Sequence, residues 1–209
     1  YLSPHLTAWN TASAESARRD ARLGRAGTTI AVAAVDFAAV LRDHGVPRYM
    51  KIDIEGMDRV CLDALATVAA RPRYLSIEAP TDGGLAAIAE EIDQLVALGY
   101  DAFQIVGQGE IHRRREPDPA REGRATGRAY KVGGSGPFGA DLPPGDWRDR
   151  DATVAGYRLP VAEELLVGPG RWPTRHRVGR AALARLGRAI DRHVPGWYDT
   201  HARHRDTAP

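Results

Sequence analysis

Between residues 49 and 106, short apolar runs alternate with helical stripes, and this alternation most constrains what the chain can fold into. Tyr49 to Ile54 has no turn former, and Tyr74 to Ile77 and Tyr100 to Val106 repeat the pattern. Between the first two runs, a helix from about Met57 to Ala70 sets Met57, Val60, Cys61, Leu65 and Val68 on one stripe. Between the last two, Thr81-Asp82-Gly83-Gly84 opens a helix with Leu85, Ile88, Ile92, Leu95 and Val96 on one side. Pro72 and Gly99 close the two helices. Strands apolar along their whole length, each separated from the next by a helix, predict an α/β fold. Its sheet is mostly parallel and covered on both faces.

The flanks are less regular. Ala14 to Arg22 could form a short helix, and Thr28 to Val35 reads as a strand rich in β-branched residues. Asp36 then caps a helix carrying Phe37, Val40 and Leu41, which Gly45 and Pro47 end. Residues 107–128 form a loop, and Arg128 to Val132 returns as an antiparallel strand. The glycine- and proline-rich segment 133–145 excludes regular structure. Beyond Trp147 a tail carries one more helix, about Arg175 to Arg192, before Trp197-Tyr198-Asp199-Thr200-His201-Ala202. The expected division is a partial domain over 1–145 and an extension over 146–209 that packs one helix on it.

Charge and cysteine content exclude several classes. The formal net charge is +2 over 209 residues, and Lys51 and Lys131 are the only lysines among mostly arginine cations. No nucleic-acid partner is expected from that balance. A lone Cys61 excludes an internal disulfide framework, fits a reducing cytoplasm, and reads as a buried structural thiol. No run approaches the ~20 apolar residues that cross a bilayer, and the amino end does not read as a signal peptide. The chain opens at Tyr1 rather than methionine, which suggests that upstream sequence has been removed.

Open parallel sheets gather ligands at the carboxyl ends of their strands. Two strand ends here carry carboxylates: Asp53 and Glu55 after the first run, Glu78 after the second. Brought together, like charges raise at least one carboxyl pKa and favour a general base. The same oxygens could instead hold a divalent cation that acidifies a bound hydroxyl. Gly56 permits close backbone approach, and the helix after it aims its positive end at this rim. The plainer alternative is that Asp53 and Glu55 only cap that helix.

Other residues read more simply. His112 is a solvated loop residue, and His201 and His204 lie in an exposed tail with no second ligand cluster, so no histidine metal site is expected. Trp9 and Asn10 either line an acceptor pocket or pack. Phe138, between glycine and proline, is either a lid or a hydrophobic plug. Tyr130, Trp147 and Trp197 are core or staple residues.

Lys51-Ile52-Asp53-Ile54-Glu55-Gly56, with a helix before it, an apolar helix after it and a strand ending in Glu78, is similar to the signature region of FkbM-type methyltransferases. Ser135-Gly136-Pro137-Phe138-Gly139 and Trp197-Tyr198-Asp199-Thr200-His201-Ala202 also resemble segments of some members. The resemblance covers roughly residues 28–145. It implies a Rossmann-like class I methyltransferase fold with an antiparallel last strand at the sheet edge, further elements preceding this region. It also implies methyl transfer from S-adenosylmethionine to an oxygen of a small metabolite or sugar, with Asp53 and Glu55 beside cofactor and acceptor. The family's glycine-rich cofactor turn is not found: Gly107-Gln108-Gly109 follows a strand, but no helix opens behind it. The expectation is therefore a carboxyl-terminal fragment that binds the cofactor poorly. Two rivals are a non-catalytic module of the same fold binding a carbohydrate or protein partner, and a nicotinamide-dependent enzyme on a related sheet.

Overall fold

A computed structural model describes residues 14–22, 27–54, 56–131 and 134–207. The chain divides into two compact units, Tyr1–Pro47 with Ile52–Arg71, and Arg48–Lys51 with Pro72–Pro209. These cut the chain elsewhere than after residue 145.

Among its described residues the first unit holds α1 (Ala14–Arg22), α2 (Phe37–His44) and α3 (Asp58–Ala66). The Asp36 carboxylate accepts from the Ala38 amide at 2.9 Å and starts α2, and Gly45 at φ 82° ends it. Helices α2 and α3 pack together and bury Ala38, Leu41, Leu62 and Leu65. The expected stripe on α3 is displaced. Met57 and Val60 are 39% and 51% exposed, and the buried positions are Leu62 and Leu65. Cys61 is only half-buried, though burial still pushes its thiol pKa up.

The expected strand over residues 28–35 does not form. Apart from a single bridge residue, Thr28, the segment carries no ladder, and Ile30, Val32 and Val35 are 45%, 76% and 75% exposed. β-branched residues favour a pleated, half-buried surface rather than a backbone shape. No named strand among the described residues pairs with this one.

The second unit is built on a sheet in the order β1-β2-β4-β3, from β1 (Tyr49–Ile52), β2 (Tyr74–Glu78), β4 (Tyr198–His204) and β3 (Tyr100–Gly107). β4 is antiparallel to both neighbours, running from Tyr74↔Arg203 to Glu78↔Asp199 on one side and from Phe103↔Ala202 to Gly107↔Tyr198 on the other. β1, β2 and β3 therefore share one direction, with β1 and β2 the parallel pair. The fold is α/β, but the sheet is mixed and mostly antiparallel. The opposed strand lies inside it, not at the edge. It comes from the segment expected to be a tail, and its apolar and small residues read too weakly as a strand beside the charged Asp199, His201, Arg203 and His204.

One face of this sheet is apolar. Leu75, Ile77, Phe103 and Ala202 have no exposure, and α4 (Gly84–Ala97) buries Ile88, Ile92 and Leu95, one helical stripe, in the same core. After β3 come α5 (Arg150–Gly156) and α6 (Arg158–Val167), then α7 (Trp172–Arg175) and α8 (Arg177–Ala189), where one helix was expected. Asp149 accepts from the Ala152 amide at 2.8 Å to start α5, and Tyr157 after it is fully buried.

The other face lies under the irregular segment. Val106, Ile111 and Leu142 form a small core that Tyr130 and Trp147 pack against. Residues 128–131 are not a strand, and 132 lies outside the described residues. The free edge of β3 is met at one point instead, where Phe103 and Arg148 exchange amide–carbonyl bonds of 2.8 Å each. Among the described residues no helix is long and apolar enough to cross a membrane.

Candidate functional site

Directly opposed residues of an antiparallel pair share a face. Glu78 and Ser76 on β2, Asp199 and His201 on β4, and Val106 and Gln104 on β3 therefore lie on one side of the sheet. From β1, Tyr49 and Lys51 reach the same side. The Tyr49 hydroxyl is hydrogen-bonded to the Ser76 hydroxyl at 2.6 Å, and Lys51 Nζ donates to Asp199 Oδ2 at 2.7 Å. This face is polar where the opposite one is apolar. Its charged end coincides with the carboxyl ends of β2 and β3.

The Lys51–Asp199 ion pair lies at that end. The aspartate side chain is 2% exposed and the lysine 23%, so the carboxylate is held out of water while the ammonium keeps a route to it. Glu78, half-buried, sits across the ladder from Asp199. Deeper along the face, His201 is 1% exposed and its Nε2 has no hydrogen-bond partner. Burial first, then the Lys51 and Arg114 cations, push its pKa down to about 3, so the ring is neutral in the fold. The Tyr49 ring lies parallel to His201 at 6.5 Å, and Phe138 stacks on Tyr49 at 4.1 Å. Burial raises the Tyr49 phenol, against the pull of the Ser76 hydrogen bond. Phe138 thus acts as the plug pinning the glycine-rich segment over the sheet.

Of the expected carboxylates, Glu78 lies on this face. Asp53 belongs to the first unit, where it is exposed just beyond the end of β1. Glu55 lies outside the described residues, as do Trp9 and Asn10. At the start of α3, Asp58 gathers the amides of the preceding turn. The Asp58 carboxylate accepts from the Ile54 amide at 2.9 Å and the Gly56 amide at 3.1 Å, and the N-cap of α3 is Met57, with no side-chain cap.

The histidine expectations also change. His201 is a central-strand residue rather than a solvated one, because β4 is inserted between β2 and β3. His204 is half-buried, edge-on to Tyr100 at 5.4 Å, and His112 is half-buried with its Nδ1 enclosed and unpartnered. Among the described residues no group of three or more His, Cys, Asp or Glu side chains could hold a metal ion.

Lys51 and Asp199 were not singled out from the sequence as site residues. One signal was present: a lysine in an otherwise apolar strand of an arginine-rich chain must find a partner or stay in water. The partner, 148 positions away, is fixed only by the fold.

The second strand end with glycines does not form a cofactor cradle. Behind Gly107-Gln108-Gly109 comes only a three-residue 3-10 turn, Ile111–Arg113. A Cβ on Gly107 would meet Glu110 Oε2 at 2.9 Å, and one on Gly109 would meet His193 Cβ at 2.6 Å. These glycines admit the protein's own side chains, not a ligand. No family model, curated protein or solved structure matches the chain.

Proposed function

We propose that this chain is the carboxyl-terminal, acceptor-side part of an S-adenosylmethionine-dependent methyltransferase of the FkbM type, acting on an oxygen of a small metabolite or sugar. The observation that carries this reading is the Lys51–Asp199 contact. Lys51 belongs to the signature-like segment and Asp199 to the terminal segment, and the 2.7 Å bond joins the two at the carboxyl end of the sheet. The resemblance implies an antiparallel last strand at the sheet edge, whereas β4 lies inside the sheet.

Neither glycine at the end of β3 leaves room for the cofactor. The role assigned to this chain is to hold an acceptor hydroxyl and take its proton, with Asp53 as the carboxylate that positions or deprotonates it and Glu55 second. Glu78, the last residue of β2, is the third carboxylate of this assignment. An exposed Asp53 suits a base that must meet a substrate.

The filled space at Gly107 and Gly109 favours one alternative, a non-catalytic module of the same fold that binds a carbohydrate or protein partner. Calorimetry of S-adenosylmethionine against the full-length gene product separates the two. Heat at millimolar cofactor, with labelled methyl recovered in a small-molecule product, supports the enzyme. Silence in both leaves the binding module. Within the enzyme reading, Asp53→Asn lowers the methylation rate by roughly a hundredfold or more. An unchanged rate together with unchanged cofactor affinity removes Asp53 from the mechanism.

A further inference from the structure

A cavity of about 500 Å³ opens in the second unit between α8 and the segment after β3. That volume is of the size that holds small-molecule ligands. One face of α8 lines it, from Arg180 through Leu183 and Ala184 to Arg188, the i, i+3, i+4, i+8 spacing of a single helical side. Two turns separate the arginines, ~12 Å along the axis. The leucine and alanine give the wall between them an apolar floor.

The charges around this cavity are unevenly satisfied. Its two acids are engaged within the protein: Asp191 pairs with Arg113 at 2.5 Å, and Glu110 accepts from the His193 amide at 2.6 Å. Arg192 is bound to Glu163 at 2.6 and 2.9 Å. Arg180 and Arg188 have no ion pair among the described residues; Arg180 donates only to the Thr174 carbonyl, at 2.8 Å. An apolar floor between two exposed guanidinium forks, neither in an ion pair among the described residues, matches an oxyanion carried on an apolar body. Guanidinium is planar, permanently charged and bidentate toward carboxylate and phosphate alike.

We infer that this groove binds a small molecule bearing a carboxylate or phosphate on an apolar body, held by Arg180 and Arg188. This inference stands apart from the methyltransferase reading, since it uses neither Asp53 nor Glu78.

The test is calorimetric titration of the whole chain with phenyl phosphate, benzoate and benzyl alcohol, the two anions distinguishing phosphate from carboxylate ligands. At least one anion binds at millimolar concentration or below, benzyl alcohol binds far more weakly, and added salt weakens the anion. Arg188→Gln and Arg180→Gln each reduce anion affinity by roughly tenfold, the loss of a charge-assisted contact. Both side chains are exposed, so the variants keep the fold, which circular dichroism verifies. Arg158→Gln removes one exposed charge outside the lining and leaves affinity within about twofold. The inference is overturned if neither anion binds, if benzyl alcohol binds as tightly, if both groove variants behave as the parent, or if Arg158→Gln weakens binding equally.

Discussion

Replacing Lys51 by methionine tests whether the Lys51–Asp199 pair organises the polar face. Methionine keeps the length and apolar body of the lysine stem but removes the ammonium, leaving a carboxylate that is 2% exposed without its 2.7 Å donor. Removing one partner of a buried pair costs about 3–5 kcal/mol, because the remaining charge is stranded. The lysine is 23% exposed and so was never fully desolvated, which places the expected cost at the lower end, about 3 kcal/mol. For a chain of 209 residues this lowers the melting temperature by roughly 6–12 °C. Asp199→Asn is milder, about 1 kcal/mol, since the amide oxygen still accepts from a lysine that can turn toward water. The double variant then costs less than the sum of the singles, by about 2 kcal/mol. Urea unfolding at neutral pH, followed by circular dichroism, measures all three. If Lys51→Met is as mild as Asp199→Asn and the singles simply add, the pair does not bear on the stability of this face.

The buried, neutral His201 predicts an acid-sensitive stability. Its folded pKa of about 3 lies below the ordinary 6.5, so protons bind the unfolded chain more readily. The stability is complete above about pH 6.5 and is lost as pH falls toward 3, with about 1 kcal/mol disappearing between pH 6 and pH 5. His201→Gln removes that increment, so urea midpoints over this interval fall less steeply; equal slopes in parent and variant count against a buried neutral ring. Gly139 sits at φ +60°, and a Cβ there would lie 2.8 Å from Tyr74 Cδ2, so Gly139→Ala destabilises by about 2 kcal/mol through backbone strain and crowding. A thermal scan showing no change would mean that the 133–145 segment yields freely.

Much of the second unit was legible because its elements announce themselves locally. The run at 74–77 and the stripe at Ile88, Ile92 and Leu95 need only near neighbours to be read, and β2 and α4 form within a residue or two of expectation. The misreadings share a cause. Residues 28–35 carry strand propensity but find no ladder, while Tyr198–His204 carries charge and two histidines yet occupies the middle of the sheet. In both, position in the sheet outweighs local preference, and that position depends on partners more than a hundred residues away in the case of Tyr74↔Arg203. The site followed the same rule. Glu78 was readable as the last residue of a strand, whereas Asp199 acquires meaning only once β4 lies beside it.

The two faces of the sheet explain why their covers differ. A helix offers an apolar stripe, and the face with Leu75, Ile77, Phe103 and Ala202 receives one from α4. The face with Ser76, Gln104, Asp199 and His201 cannot be covered that way, because each buried polar group would lose its water without replacement. An irregular segment can present backbone groups and turn sharply. Gln104 Nε2 donates to the Pro143 carbonyl at 2.8 Å, and Gly139 allows the close approach to Tyr74. That cover satisfies the face incompletely: His201 Nε2 and Gln108 Nε2 stay enclosed without partners. Buried polar atoms left unmet are costly, about 1–3 kcal/mol each, and cores built for stability alone avoid them. The irregular cover therefore leaves the polar face short of partners at these two atoms.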